Sequence, residues 1–321
     1  MRILVSAALI AICCAPALAD EPCTLQRIGL VPFETDETAH AFVPAALADH
    51  PTRLMLDTGG FWSVITDDLA KALNLKIQRS YDMALVDASG AKLDRYVTVP
   101  HMKIGGLTIG IPVDFVLSQN MGATSTKEFG GTLGLNFFQN RIDVEVDNAG
   151  KTISLFAANK CGDARVVHWA DEAVTLNYRV ERRGPPIGSR LGGKKMQITL
   201  PIVAAELEGQ DVRVLFDTAS TVSLLDIDLA KRRFGVGPGS PGVTPAGKAY
   251  LPSGEVVELY SYTFKALTVS GIRFDNVPVH LGKFDGAELV LGMHELKHFH
   301  LYFAFNDGKI HITAADAAHG Q

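Results

Sequence analysis

Two aspartates stand in nearly the same sequence context 160 positions apart. Arg53-Leu54-Met55-Leu56-Asp57-Thr58-Gly59-Gly60 is matched by Arg213-Val214-Leu215-Phe216-Asp217-Thr218-Ala219-Ser220. The identity continues at Ser63 and Ser223, and Asp68-Leu69-Ala70-Lys71 meets Asp228-Leu229-Ala230-Lys231. In each copy a carboxylate ends an apolar run, where ionisation is costly unless the group is hydrogen-bonded or protonated. A repeat of this length signals one structural unit present twice, which predicts that one carboxylate from each copy meets the other on a pseudo-twofold axis. Two carboxyls sharing a dry cleft cannot both ionise, so the pair holds one proton between them. The ionised member can take a proton from water, and the protonated member can donate to a developing oxyanion.

Elements of a definite kind must position such a pair. Leu54–Leu56 and Val214–Phe216 read as buried strands, each followed by a tight turn at the aspartate. Thr66 and Asp226 are suited to cap the short helices that follow. Further on, Gly131-Thr132-Leu133-Gly134-Leu135-Asn136 matches Leu289-Val290-Leu291-Gly292-Met293-His294, with a glycine where another backbone must pass closely. Asn148-Ala149-Gly150-Lys151 and Asn306-Asp307-Gly308-Lys309 then supply equivalent hairpin turns. Between these landmarks, Ser89-Gly90 and Ser253-Gly254 interrupt strand-forming stretches, as hairpin tips long enough to fold back over the site do.

Asp-Thr-Gly after an apolar strand, followed by an apolar run with glycine, resembles the aspartic proteases, specifically the single-chain bacterial retropepsin-like type. The resemblance spans about 42–155 and 198–313. It implies an all-β fold of two homologous closed β lobes related by a pseudo-twofold axis, with short helices. Asp57 and Asp217 would then be the catalytic pair, with Thr58 and Thr218 locking the two turns together. Gly59 would let backbone N–H groups approach the carboxylates, and Ser89, Gly90, Ser253 and Gly254 would form flaps over substrate. The implied activity is aspartic endopeptidase action on a peptide or protein, with no cofactor and no metal. Ala219 departs from the family's glycine and raises the expectation of a crowded carboxylate or an awkward backbone angle. Ser220, for which the first copy has only Gly60, is expected to place a hydroxyl near Asp217 and favour its ionised form.

The chain has 321 residues, 47% hydrophobic and 20% charged, which excludes disorder and predicts more than one lobe. Arg2, the apolar Ile3–Cys14 stretch and Ala17-Leu18-Ala19 read as a secretory signal peptide over residues 1–19. An N-terminal lobe over 20–161, a connector over 162–195 containing Arg182-Arg183-Gly184-Pro185-Pro186, and a C-terminal lobe over 196–321 follow. That leader predicts a periplasmic or secreted protein, in which Cys23 and Cys161 pair as a disulfide closing the first lobe, two free thiols being the alternative. The formal charge of −5 argues against nucleic acid and anionic membranes as partners. No later stretch is long and apolar enough to span a bilayer as a helix, and the duplication predicts a monomer acting as an internal pseudo-dimer.

Three rival readings compete. His294-Glu295-Leu296-Lys297-His298 fits the zinc-peptidase pattern H-E-x-x-H. That pattern needs a long helix and a third ligand, whereas a strand-like run, His300–Phe305, follows at once, so a helical turn bearing histidines is expected instead. Leu54–Gly60 also looks like the phosphate loop of actin-like sugar kinases, but a secretory leader points away from ATP. The third reading is a binding protein whose cleft holds a peptide uncut because Ala219 impairs the pair; binding without turnover would identify it.

Overall fold

The computed structural model describes residues 25–35, 40–79, 87, 93–118, 129–139, 142–157, 166–178, 190–191, 194–195, 200–251, 253–284 and 287–316. Cys23, Cys161, Ser89 and Gly90 lie outside the described residues, as do residues 1–19, read above as a leader. Within them the protein is mainly β, two related sheets joined by a third.

In each copy the strand leading to the aspartate is pinned between two neighbours. His50–Leu56 pairs antiparallel with Ala41–Leu47 and parallel with Phe129–Leu133. Gln210–Phe216 does the same with Ile202–Leu207 and Leu289–Leu291. Strands buried on both faces read as continuous apolar runs. Leu54, Leu56, Val214 and Phe216 accordingly join Ile65, Leu133, Leu225 and Leu291 in one core shared by both copies. The expected caps are in place: Thr66 Oγ1 accepts from Leu69 N at 3.1 Å and Asp226 Oδ1 from Leu229 N at 2.9 Å.

The copies differ in how they close. In the second, Val256–Val269 runs unbroken and pairs with Ile272–Gly282, Thr244–Tyr250 and Ile202–Leu207, sealing a barrel. In the first, the corresponding stretch is split into Arg95–Val99 and Met102–Ile104 at Pro100, leaving a curled half-barrel. Proline brings no N–H to a ladder and interrupts it.

The joining sheet has six strands in the order Arg27–Pro32, Thr152–Ala157, Ile142–Asp147, Phe299–Ala304, Lys309–Ala314 and Val174–Asn177. Val144 faces Phe303 and Glu145 faces Tyr302, so the pseudo-twofold axis passes between these two pairs. Val174–Asn177 belongs to the stretch read above as a connector. It forms an edge strand on Lys309–Ala314 because the closing hairpin of the second copy offers an unpaired edge.

One face of the central pair carries Val144 and Val146 into the core, while the other carries Asp143, Glu145 and Asp147. Residues 166–169 cover that polar face. His168 Nε2 lies 3.1 Å from Glu145 Oε2, His300 Nε2 lies 2.8 Å from Oε1, and Trp169 stacks on His300 at 4.1 Å. Burial alone would raise Glu145, but the two histidines hold it down at about 2. A depressed carboxyl contributes stability above its ordinary value of about 4.5, lost as pH falls toward 2. Glu145→Gln is therefore expected to lower stability by about 3 kcal/mol at neutral pH, at 1.36 kcal/mol per pH unit, with the deficit shrinking between pH 4.5 and 2. Chemical denaturation of both proteins across that range checks it.

Candidate active site

Each aspartate is placed by the strand before it and the strand beside it. Asp57 N donates to Leu133 O at 3.0 Å and Asp217 N to Leu291 O at 3.1 Å. The short helices after the glycines then hold the turns from behind. Leu135 and Asn136 donate their N–H groups to Gly60 O and Phe61 O, and Met293 and His294 donate to Ser220 O and Thr221 O. Gly134 and Gly292 make this approach possible: a Cβ on Gly134 would lie 2.5 Å from Trp62 C, and one on Gly292 2.5 Å from Val222 O.

Thr58 and Thr218, both fully buried, cross between the copies. Thr58 Oγ1 donates to Phe216 O at 2.8 Å and accepts from Thr218 N at 3.1 Å. Thr218 Oγ1 donates to Leu56 O at 2.8 Å and accepts from Thr58 N at 3.2 Å. Each hydroxyl thus satisfies one donor and one acceptor of the opposite chain segment, and the two aspartate turns are fixed face to face.

The carboxylates rest on backbone donors. Gly60 N donates to Asp57 Oδ1 at 2.5 Å and Ala219 N to Asp217 Oδ1 at 2.8 Å. Gly59 is required by space: a Cβ there would lie 2.4 Å from Asp217 Cγ. A Cβ on Gly60 would lie 2.3 Å from Asp57 Oδ2. Ala219 does not have the awkward backbone angle expected of it. Its φ is not positive, and it packs against Phe42, Met55 and Phe129.

Burial raises both aspartates above the ordinary carboxylate range. Asp57 is raised further by the charge of Asp217, against the Gly60 and Gly59 donors and the Thr132 hydroxyl. For Asp217, donors at Ala219, Ser220 and Gly59 and the charge of His40 work against burial. Burial thus opposes ionisation at both members of the pair. Ser220 acts on Asp217 through its backbone only: its hydroxyl donates to Val222 O at 2.7 Å and not to Asp217, a correction to the expectation above.

The family whose profile matches is described as aspartyl protease, over residues 43–137 and 203–294, together more than half of the chain. The chain belongs to the retropepsin-like aspartyl protease family. No curated protein matches it significantly. The two matched segments carry the two aspartate turns and end on the two helices that hold them.

Other residues of the protease fold were singled out for different reasons. Ser253 and Gly254 form the tip joining Thr244–Tyr250 to Val256–Val269, with Gly254 at φ +92. Ser253 N donates to Asp87 Oδ2 at 3.0 Å, tying this tip to the first copy. The H-E-x-x-H residues do not form a zinc helix. Met293–Leu296 ends before His298, and Glu295 turns inward to accept from Ser223 Oγ. Among the described residues no group of three or more His, Cys, Asp or Glu is placed to hold a metal. Asn136 does in the first copy what Glu295 does in the second, accepting from Ser63 Oγ at 2.8 Å. The repeated serines were visible in the sequence, but their partners differ in type and only the fold pairs them.

Substitutions at the two turns are expected to be asymmetric. Gly59→Ala must displace the Asp217 carboxylate and abolish activity, whereas Ala219→Gly loses one apolar methyl contact and about 1 kcal/mol of stability. Thr58→Val strands a carbonyl and an N–H in the interior, at about 1–3 kcal/mol each. Thermal denaturation and peptide cleavage of the three variants measure both effects.

Proposed function

We propose that the protein is an aspartic endopeptidase in which Asp57 and Asp217 act together on a bound water. What carries this reading is the crossed threonine pair: it holds the two partly buried aspartates on backbone donors in facing turns, with no space for a side chain at Gly59. Asp217, ionised, takes a proton from the water as its oxygen attacks the peptide carbonyl. Asp57 gives its proton to the carbonyl oxygen, which stabilises the tetrahedral intermediate without a covalent bond to the enzyme. On collapse, Asp217 passes its proton to the leaving amine and Asp57 recovers one from the intermediate's hydroxyl, which restores the starting state.

The substrate in this reading is a peptide or protein, and the hairpin tip at Ser253-Gly254 is the part of the described chain suited to cover it. Residues 1–19 as a leader would deliver the enzyme to the periplasm or outside the cell, acting as a monomer. The non-cutting alternative rested on Ala219, whose N–H donates to Asp217 Oδ1 at 2.8 Å and whose methyl packs against Phe42, Met55 and Phe129.

Cleavage of a mixed peptide library from about pH 3 to about 8 tests the proposal. Asp57→Asn and Asp217→Asn should each lose at least about a thousandfold in kcat/KM, while EDTA and His294→Ala should leave the rate unchanged. Because burial and Asp217 raise Asp57, the rate should fall on the alkaline side only above the ordinary carboxylate range. Cleavage that survives both Asn substitutions would overturn the assignment.

A further inference from the structure

The two copies present different surfaces beside the aspartates. In the second copy the registers of the paired strands set Leu215, Val290, Leu224, His280 and Ser261 in one row across the sheet. Leu215 precedes Asp217 by two residues, and side chains two apart share a face of a strand, so the row lies on the side of the aspartate. The alternate positions Phe216, Leu225, Leu281 and Leu291 fill the barrel. The equivalent row of the first copy is Met55, Thr132, Val64, Val116 and Tyr96.

The row of the first copy is covered. Val64 and Val116 are buried together with Trp62, and Phe61, Leu93 and Tyr96 pack against them. The second copy has Thr221 and Val222 in place of Phe61 and Trp62, and Ser261 in place of Tyr96. Gly134 and Gly292 meet the backbone of Trp62 and Val222 alike, so the two positions correspond in space and only the side chains differ. With three rings gone, Val290, Leu224, His280 and Ser261 are each only part-buried. Phe284 and Leu259 bound the row at its side: a Cβ on Gly282, two residues after His280, would lie 2.6 Å from the Phe284 ring and 2.9 Å from Leu259 Cδ2. An apolar wall therefore runs outward from Asp217 with one imidazole in it, where the first copy has Val116.

Neither ring nitrogen of His280 hydrogen-bonds to a described residue, and Nδ1 is fully buried. Burial also pushes the ring below its ordinary value, so it stays uncharged and offers one donor and one acceptor. A polar group in an apolar wall is costly until something bonds to it. We infer that this row is a substrate subsite that the first copy lacks, and that His280 determines its specificity: it takes a long side chain with an apolar stem and an uncharged hydrogen-bonding end, such as glutamine or tyrosine. The stem matches Leu224 and Val290, and the end matches a neutral imidazole. This rests on the peptidase proposed above and adds to it the kind of peptide that is selected.

The test is cleavage of a peptide library by the full-length protein, with the cut sites read by mass spectrometry, beside His280→Val, His280→Gln and Val222→Trp. One position of the cut peptides should favour glutamine or tyrosine over methionine or phenylalanine by about tenfold in kcat/KM. His280→Val, which copies Val116, should reverse that preference at that position alone, and His280→Gln, which keeps a donor and an acceptor, should retain it. Val222→Trp, which copies Trp62, should reject long side chains there by about tenfold and still admit alanine. A residue that only packs would lower all peptides together, so an unchanged preference in both His280→Val and Val222→Trp would overturn the inference. Binding of the same library to the Asp217→Asn protein separates the two claims. A preference that His280→Val abolishes, in a protein that binds but cuts nothing, would sustain the subsite and sink the peptidase. Cutting with a preference that no substitution moves would do the reverse, and a protein that neither cuts nor binds would overturn both.

Discussion

The site depends on two hydroxyls. Thr58 and Thr218 each donate to a carbonyl of the opposite copy and accept from an amide of the opposite copy, fully out of water. A buried amide or carbonyl left without a partner costs about 1–3 kcal/mol, so any movement that separates the two turns exposes four such groups at once. This makes the spacing of the aspartates a property of the interface between copies and not of either loop. Asp57 and Asp217 can be held at a separation that like charges would oppose because the threonines behind them have nowhere else to bond.

The six-stranded sheet extends the same restraint. Its central strands, one from each copy, are centred between the Val144–Phe303 and Glu145–Tyr302 pairs. A carboxylate so deep is tolerated only because His168 and His300 hydrogen-bond both of its oxygens. The copies are thus joined by crossed hydrogen bonds at the site and by a continuous ladder elsewhere, and neither joint leaves a flexible hinge between the halves.

Much of this was legible in the sequence, because duplication repeats the groups that cannot vary. Asp57 and Thr58 recur because their partners are backbone atoms or each other, Ser63 and Ser223 because their hydroxyls accept from Gly134 N and Gly292 N, and Gly134 and Gly292 recur because backbone passes where a side chain would sit. Positions whose partner is a side chain were harder to interpret. Asn136 and Glu295 hold equivalent serines with different chemistry, and Glu295 therefore surfaced as half of a zinc motif. Ser220 misled because its hydroxyl, two residues from Val222 O, is satisfied locally before it can reach Asp217. Val174–Asn177 read as connector because its pairing depends on an edge that exists only once the last hairpin has formed.

The departures from the repeat have a common sense. A pair of aspartates related by perfect symmetry has two equal ways to place one proton, and only half of its molecules would hold it on a given side. Water attack needs a base on one side and an acid on the other, and substrate approaches an asymmetric cleft in one direction. Fusing two copies into one chain permits each half to change alone: His40 against Leu200, Thr132 against Val290, Gly59 against Ala219. The first of these sets a buried titratable ring against a hydrocarbon at one position of the repeat. Gly59 and Ala219 follow the same division, since the methyl sits where Phe42, Met55 and Phe129 receive it and is absent where Asp217 fills the space.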